Sequence, residues 1–116
     1  MQQVVTGGSW AALDPGTGKI LWQTPDPHGD FDTSFVSAAN AVIYAGSLAA
    51  AGTDMYALDA ATGTILWSFA SGGSVTGGAA IAGGSVYWGS GYCGTACLGS
   101  APVTNNNKVY AFGLGR

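Results

Sequence analysis

An eleven-residue segment that occurs twice constrains the fold of this 116-residue chain more than any other feature. Residues 12–22 read ALDPGTGKILW, and residues 57–67, at an offset of 45, read ALDAATGTILW. Eight of the eleven positions are identical without a gap: Ala12, Leu13, Asp14, Thr17, Gly18, Ile20, Leu21 and Trp22 recur as Ala57, Leu58, Asp59, Thr62, Gly63, Ile65, Leu66 and Trp67. A third copy begins at 109–112, VYAF, which matches 55–58, MYAL. A period of this length indicates a repeat architecture in which each unit packs on its neighbours.

The residues between the repeats read as short strands separated by turns. Val, Ile, Tyr and Trp clusters alternate with glycine-rich pairs such as Gly83-Gly84, the pattern of β-hairpins. Four strands in a unit of about 45 residues predict the blade of a β-propeller. With strands lettered A to D from the axis outward, the chain reads B-C-D, A-B-C-D and A-B-C, and Val4-Val5 is the remnant B strand.

The expected fold is therefore all-β: a partial β-propeller of four-stranded antiparallel blades, about two and a half blades and about ten strands long. One domain contains the end of blade one in 1–25, blade two in 33–70, and blade three without its outer strand in 75–116. Propellers close with about four to eight blades. We therefore expect this segment to associate with the remaining blades of a full propeller or with another copy of itself.

Charge and hydropathy exclude several classes of function. Charged residues make up 8% of the chain, its net charge is −3, and its basic residues are Lys19, Lys108 and Arg116. Binding to a phosphate backbone requires clustered Lys and Arg, so a nucleic-acid partner is not expected. No apolar run reaches the roughly 18 residues of a membrane span.

Two cysteines stand close together in a glycine-rich stretch. Cys93 and Cys97 have C-x3-C spacing, and no second pair is present to complete a zinc site. A small disulfide, which would indicate an oxidising compartment, is the favoured interpretation, with two free thiols as the alternative. The residues after Met1 lack the basic and apolar regions of a secretion signal.

The repeated pattern Ala-x-Asp-x-x-Thr-Gly-x-x-x-Trp resembles the tryptophan-docking motif of the pyrroloquinoline quinone (PQQ) dehydrogenase propellers. The resemblance implies that Trp22 and Trp67 stack against the neighbouring blade, with Ala12, Ala57 and Ala111 as their seats. This is a structural role, because a buried tryptophan contributes a large apolar area and one N–H that needs a partner.

The second half of the chain, from residue 40 onward, resembles the C-terminal part of polyvinyl-alcohol-dehydrogenase-like quinoproteins. The stretches that carry this likeness are 69–75, 86–92 and 106–112. The resemblance implies a periplasmic or secreted enzyme that oxidises a secondary or polymeric alcohol and passes electrons to PQQ and then to a cytochrome. Non-catalytic relatives share the repeat, among them the outer-membrane assembly lipoprotein, so a protein-binding scaffold is the alternative. A module that associates through open strand edges is a third interpretation.

In this family the quinone lies on the face formed by the D-to-A and B-to-C loops, and three segments of this chain belong to that face. The loop 25–32 contains Asp30 and Asp32, which we interpret as Ca²⁺ ligands, against the alternative of a turn capped by Asp. The other two segments are 71–74, for which a flexible connector is the alternative, and the long insertion 91–107, where Trp88 at the entrance has packing in the blade as its alternative. The expected quinone-contacting residues are Ser74, Trp88, Tyr92 and Asn107. The family's catalytic Asp has no matching motif in this sequence.

Overall fold

A computed structural model describes residues 5–91 and 103–113 of the chain. These residues form nine strands in three antiparallel sheets. The strands are β1 (Ser9–Leu13), β2 (Ile20–Pro25), β3 (Ser37–Ala39), β4 (Val42–Gly46), β5 (Met55–Asp59), β6 (Ile65–Phe69), β7 (Ala80–Ala82), β8 (Ser85–Ser90) and β9 (Lys108–Gly113). The architecture confirms the predicted partial propeller.

The sheets correspond to the blades. β1 pairs with β2, the middle sheet has the order β3-β4-β5-β6, and the last has the order β7-β8-β9. The blade bounds 1–25, 33–70 and 75–116 stay a prediction. The tenth expected strand, Val4-Val5, reaches beyond the described residues: Val4 lies outside them, and Val5, with which they begin, is not in a strand. Tyr92, Cys93 and Cys97 also lie outside them, so the disulfide stays a prediction.

The turns between strands C and D, that is between β1 and β2 and between β5 and β6, are formed by the residues that recur in the internal repeat. Asp14 Oδ1 accepts hydrogen bonds from the backbone N–H groups of Gly16 and Thr17, both at 2.9 Å. These bonds, first of all that from Thr17, hold the pKa of Asp14 below its usual value. Asp59 Oδ1 repeats the arrangement with Ala61 and Thr62 at 2.8 and 3.0 Å. Each turn closes on a glycine with positive φ, 73° at Gly18 and 74° at Gly63.

The apolar core lies between the blades. One buried cluster joins blades one and two and consists of Trp10, Ala45, Tyr56 and Leu58. A second joins blades two and three and consists of Met55, Val75, Ala79, Val86 and Trp88. A blade is too thin to bury both of its own faces, so stacking neighbours supplies the core. No helix in the described part of the chain is long and apolar enough to cross a membrane.

Candidate functional site

The D-to-A and B-to-C loops meet at one end of the blades, and the buried polar side chains gather there. In the described residues, the buried polar or charged side chains all lie in these loops or at an adjoining strand end; they are Asp26, Ser47, Asp54, Ser71, Ser74 and Ser90. We call this end of the molecule the loop face. Buried polar groups need hydrogen-bond partners. The partners of these groups therefore indicate whether they are available to bind a ligand.

Ser71 is the centre of a hydrogen-bond network between blades two and three. Its Oγ donates to Asp54 Oδ2 at 2.7 Å and lies 2.6 Å from Ser90 Oγ, while its N–H donates to Asp54 Oδ1 at 2.9 Å. Its carbonyl accepts from Asn106 Nδ2 at 2.8 Å and from Tyr110 Oη at 2.6 Å. Burial raises the pKa of Asp54, although the bonds from Ser71 oppose the shift. The network ties four segments together.

Ser74, a predicted quinone contact, has its hydroxyl occupied by the protein. Its Oγ donates to the Leu48 carbonyl at 2.9 Å and accepts from the Thr104 N–H at 2.9 Å. The Ser74 N–H donates to the Thr104 carbonyl at 2.8 Å. Ser74 is 1% exposed. These contacts make it a junction of three loops.

The other predicted quinone contacts, Trp88, Asn107 and Tyr92, differ in burial and surroundings. Trp88 is 1% exposed, and its Nε1 donates to the Gly77 carbonyl at 2.9 Å. Its ring meets Tyr44 edge-on at 6.3 Å within the second core cluster. Asn107 is exposed immediately before β9, and Tyr92 is outside the described residues. The quinone site stays a prediction, while the contacts of Ser74 and Trp88 favour packing roles.

The loop 25–32 brings two carboxyl groups together, Asp26 and Asp32. Asp26 is 5% exposed, and its Oδ1 accepts from the N–H groups of His28 at 2.8 Å and Asp30 at 3.1 Å. Asp26 Oδ2 and both carboxyl oxygens of Asp32 are buried without a hydrogen-bond partner. Burial raises the pKa of Asp32 to about 7, and the neighbouring charge of Asp26 adds to the effect. A proton on Asp32 would supply the donor that these oxygens lack.

The charges of both Asp26 and Asp30 act on Asp32, with Asp26 the stronger, whereas the sequence analysis named only Asp30 beside it. Ca²⁺ takes six to eight oxygen ligands, usually with several carboxylates. The residues at 5–91 and 103–113 contain no group of three or more His, Cys, Asp or Glu side chains arranged to hold a metal ion. The Asp26–Asp32 pair therefore fits a shared proton better than Ca²⁺, and the Asp30–Asp32 metal site stays a prediction.

A second contact between blades is the joint at which Trp22 of β2 docks on blade two. Trp22 Nε1 donates to the Ala60 carbonyl at 2.9 Å, and Thr24 Oγ1 donates to the Gly63 carbonyl at 2.6 Å. A Cβ at Gly63 would overlap Trp22 Cε3, so the ring lies directly on that glycine. The docking surface is the turn after β5. Ala57, the seat implied by the resemblance, lies within β5 and pairs with Trp67 of its own blade.

Several loop-face residues escaped the sequence analysis, and the internal offset of 45 would have revealed one of them. Ser71 lies 45 residues after Asp26, so corresponding repeat positions supply a buried polar residue both in the loop 25–32 and in the network between blades two and three. The sheet registers likewise align Ser90 with Ser47, because Gly46 pairs with Met55 and Gly89 with Val109. Repeat comparison of the loops, as well as of the strands, is the signal that would have found them.

A four-stranded sheet flanked by two sheets of the same strand order, with Trp22 docked on the next sheet, defines this protein as part of a β-propeller of PQQ-like repeats. A family model described as outer membrane protein assembly factor BamB matches residues 6–113. The chain belongs to that family.

Solved structures support the fold. The computationally designed Ika8 protein is similar at 20% identity and a TM-score of 0.58, over 74% of this chain and 26% of the designed one. The designed Ika4 protein is similar at 18% identity and a TM-score of 0.56, over 89% of this chain and 54% of the designed one. This chain thus spans only part of each. No curated protein matches it.

Proposed function

We propose that this chain is a scaffold segment of a β-propeller that binds protein and does not itself catalyse a reaction. The observation that carries the proposal is that the buried serines between blades two and three form their hydrogen bonds within the protein. Ser71, Ser74 and Ser90 are each at most 2% exposed and bond to other protein groups. A ligand site needs polar groups that converge on open space.

The description of the family model, an outer membrane protein assembly factor, supports the same proposal. By analogy we place the chain outside the cytoplasm. Its partners on this proposal are the other blades of a propeller, a second copy, or a protein that adds to an open sheet.

A second candidate function is favoured by one observation, the Asp26–Asp32 pair. A carboxyl group whose pKa lies at about 7 exchanges a proton readily at neutral pH, as a general base of alcohol oxidation requires. On this candidate the chain is the C-terminal part of a PQQ-dependent alcohol dehydrogenase with a cytochrome as electron acceptor. Bound PQQ would accept the hydride or the electrons of the alcohol. Of the groups needed for that reaction, the described residues provide at most the carboxyl pair Asp26 and Asp32.

One titration separates the two candidates. The purified chain is titrated with PQQ, with and without Ca²⁺, and tryptophan fluorescence is followed beside the Asp32→Asn variant. The scaffold proposal predicts only the linear inner-filter loss that free tryptophan also shows. Saturable quenching that requires Ca²⁺ and disappears in the variant would overturn it in favour of the dehydrogenase.

The scaffold proposal also predicts association. Size-exclusion chromatography with light scattering, repeated over a range of chain concentrations, should give a mass that rises with concentration. A strictly monomeric chain that binds no protein would count against the proposal.

A further inference from the structure

We propose that the segment 103–107, which we call the strap, is the resident occupant of a peptide-binding cleft on the loop face. A partner polypeptide that contains Thr-x-Asn would take the place of the strap in this cleft. The inference rests on the proposed function and names the site and the chemistry of one protein partner. The strap directly precedes β9 and bonds to the loop between β6 and β7.

Thr104 of the strap is held through its backbone as well as its side chain. The Ser74 N–H donates to the Thr104 carbonyl at 2.8 Å, and the Thr104 N–H donates to Ser74 Oγ at 2.9 Å. The Thr104 hydroxyl donates to the Ala50 carbonyl at 3.0 Å. In peptide sites, main-chain hydrogen bonds give affinity and side-chain contacts give specificity. Because Ser74 bonds both backbone groups of one residue, the cleft fits a polypeptide.

Asn106 of the strap supplies the second side-chain contact. Its Nδ2 donates to the Ser71 carbonyl at 2.8 Å, and its Oδ1 accepts from Ser90 Oγ at 2.9 Å. A Cβ at Gly73 would overlap Asn106 Oδ1, and a Cβ at Gly72 would lie 3.1 Å from Nδ2. The amide group therefore lies against bare glycine backbone. An amide two positions after a hydroxyl is thus the pattern that this cleft fits.

The strap is held by hydrogen bonds and has no anchor in the apolar core. Neither buried apolar cluster of the described residues includes a member of the strap, whose one apolar residue is Val103. Asn105 and Asn107 are exposed. Water replaces the hydrogen bonds of a segment that leaves, whereas a core residue that leaves also loses its apolar burial. The strap should therefore open at a smaller free-energy cost than the separation of the blades.

Opening of the strap would create a site with a defined chemistry. The Ser74 N–H and the Ala50 carbonyl would lose their partners, and the backbone at 72–73 would be uncovered. Ser71 Oγ would keep its bond to Asp54 Oδ2 at 2.7 Å, so the cleft would keep its floor. Polar groups that converge on open space are the usual form of a ligand site. A segment that repeats the donors and acceptors of the strap would satisfy them.

The test uses a labelled peptide copy of residues 103–108, VTNNNK. The chain with Asn106→Ala holds its own strap less tightly, because two hydrogen bonds of the strap are gone. The apparent affinity of a cleft falls with the fraction of molecules in which it is open. Fluorescence polarisation should therefore show saturable binding that is at least about tenfold tighter for the Asn106→Ala chain than for the unchanged chain. A residue with only a structural role would give no such gain.

Two further chains make the comparison specific. Thr104→Ala removes only the bond to Ala50, so the gain in affinity should be smaller, about threefold. Asn105→Ala is the matched control, because Asn105 is an exposed neighbour of the same type, and the affinity should equal that of the unchanged chain. No gain for either Thr104→Ala or Asn106→Ala would overturn the inference.

A change in the peptide tests the pattern without changing the protein. The peptide in which alanine replaces the counterpart of Asn106 should bind the Asn106→Ala chain at least about tenfold more weakly than the original peptide. Misfolding cannot explain this difference, because both peptides meet the same chain. Equal affinity of the two peptides, or no binding of either to any chain, would also overturn the inference. The PQQ titration is a separate measurement with another ligand, so failure of the cleft and failure of the scaffold proposal are distinguishable.

Discussion

The indole ring of Trp22 lies directly on the backbone of Gly63 in the next blade, and each residue restricts which amino acid fits at the other position. The glycine has φ of 74°, and any side chain there would enter the volume of the ring. One contact therefore requires both a large planar residue in an outer strand and the absence of a side chain in the following turn.

Gly63→Ala should lower the free energy of unfolding by about 2–4 kcal/mol, because it adds steric overlap to backbone strain. Gly18→Ala is the matched control: Gly18 has φ of 73° and nothing within 4 Å of an added Cβ, so only strain of about 1 kcal/mol applies. Denaturant titration of tryptophan fluorescence measures both. Equal losses would show that the Trp22 contact contributes nothing.

Trp22→Ala should cost about 2–4 kcal/mol, because it removes ring packing and leaves the Ala60 carbonyl without its indole donor. Trp67→Ala should cost less, since Trp67 is 37% exposed. Thermal unfolding of the two variants under one set of conditions compares them. A larger loss for Trp67 would contradict the argument from its exposure.

Ser71→Ala should cost about 1–3 kcal/mol, because Asp54 Oδ2 and Ser90 Oγ would each lose a buried partner. Ser68→Ala, at an exposed position of β6, should change stability by no more than about 0.5 kcal/mol. Equilibrium denaturation of the two serine variants provides the comparison. If the two substitutions lower the free energy of unfolding equally, the buried network contributes no more to stability than an exposed serine.

Stability should fall as the pH rises from about 4 to about 7. The pKa of Asp32 rises from 3.8 to about 7 on folding, so in this window the native chain keeps a proton that the unfolded chain has lost. The native state then binds more protons, and the free energy of unfolding decreases with pH. The raised pKa of Asp54 acts in the same direction.

Asp32→Asn should flatten this dependence, because the amide keeps a donor and carries no charge at any pH. Denaturation midpoints of the chain and the variant at several pH values give the answer. Parallel curves for the two proteins would show that Asp32 is not the responsible group.

The turn between β3 and β4 offers a gain in stability. Ala41 has φ of 63°, whereas the corresponding turn of blade three has Gly83 and Gly84 with φ of 57° and 77°. Ala41→Gly should stabilise the chain by about 1 kcal/mol by relieving the left-handed conformation, and Gly84→Ala should destabilise it by a similar amount. Thermal melting of both variants tests the pair. Loss of stability in both would refute the strain argument.

The residues that recur in the internal repeat made the turns and strands of this chain predictable. Asp14 and Asp59 cap turns, Gly18 and Gly63 supply positive φ, and the apolar runs between them form strands, all through interactions within a few residues. The spacing of 45 then specified blades, because units that repeat must stack on one another. The contact of Trp22 with the neighbouring blade was implied by the resemblance to the quinoprotein propellers, and the structure confirms it.

The tertiary structure alone decided how distant loops combine. Ser71 contacts Asp54, Ser90 and Asn106 because loops of different blades converge at one end. Within the loop 25–32, the folded chain brings the charges of both Asp26 and Asp30 to bear on Asp32, with Asp26 the stronger. Burial then raises the pKa of Asp32 and leaves Ser74 only 1% exposed. Local pattern dictates strands and turns, since their hydrogen bonds form between near neighbours. Which polar groups meet and which lose water depends on contacts between blades, and no local pattern encodes those.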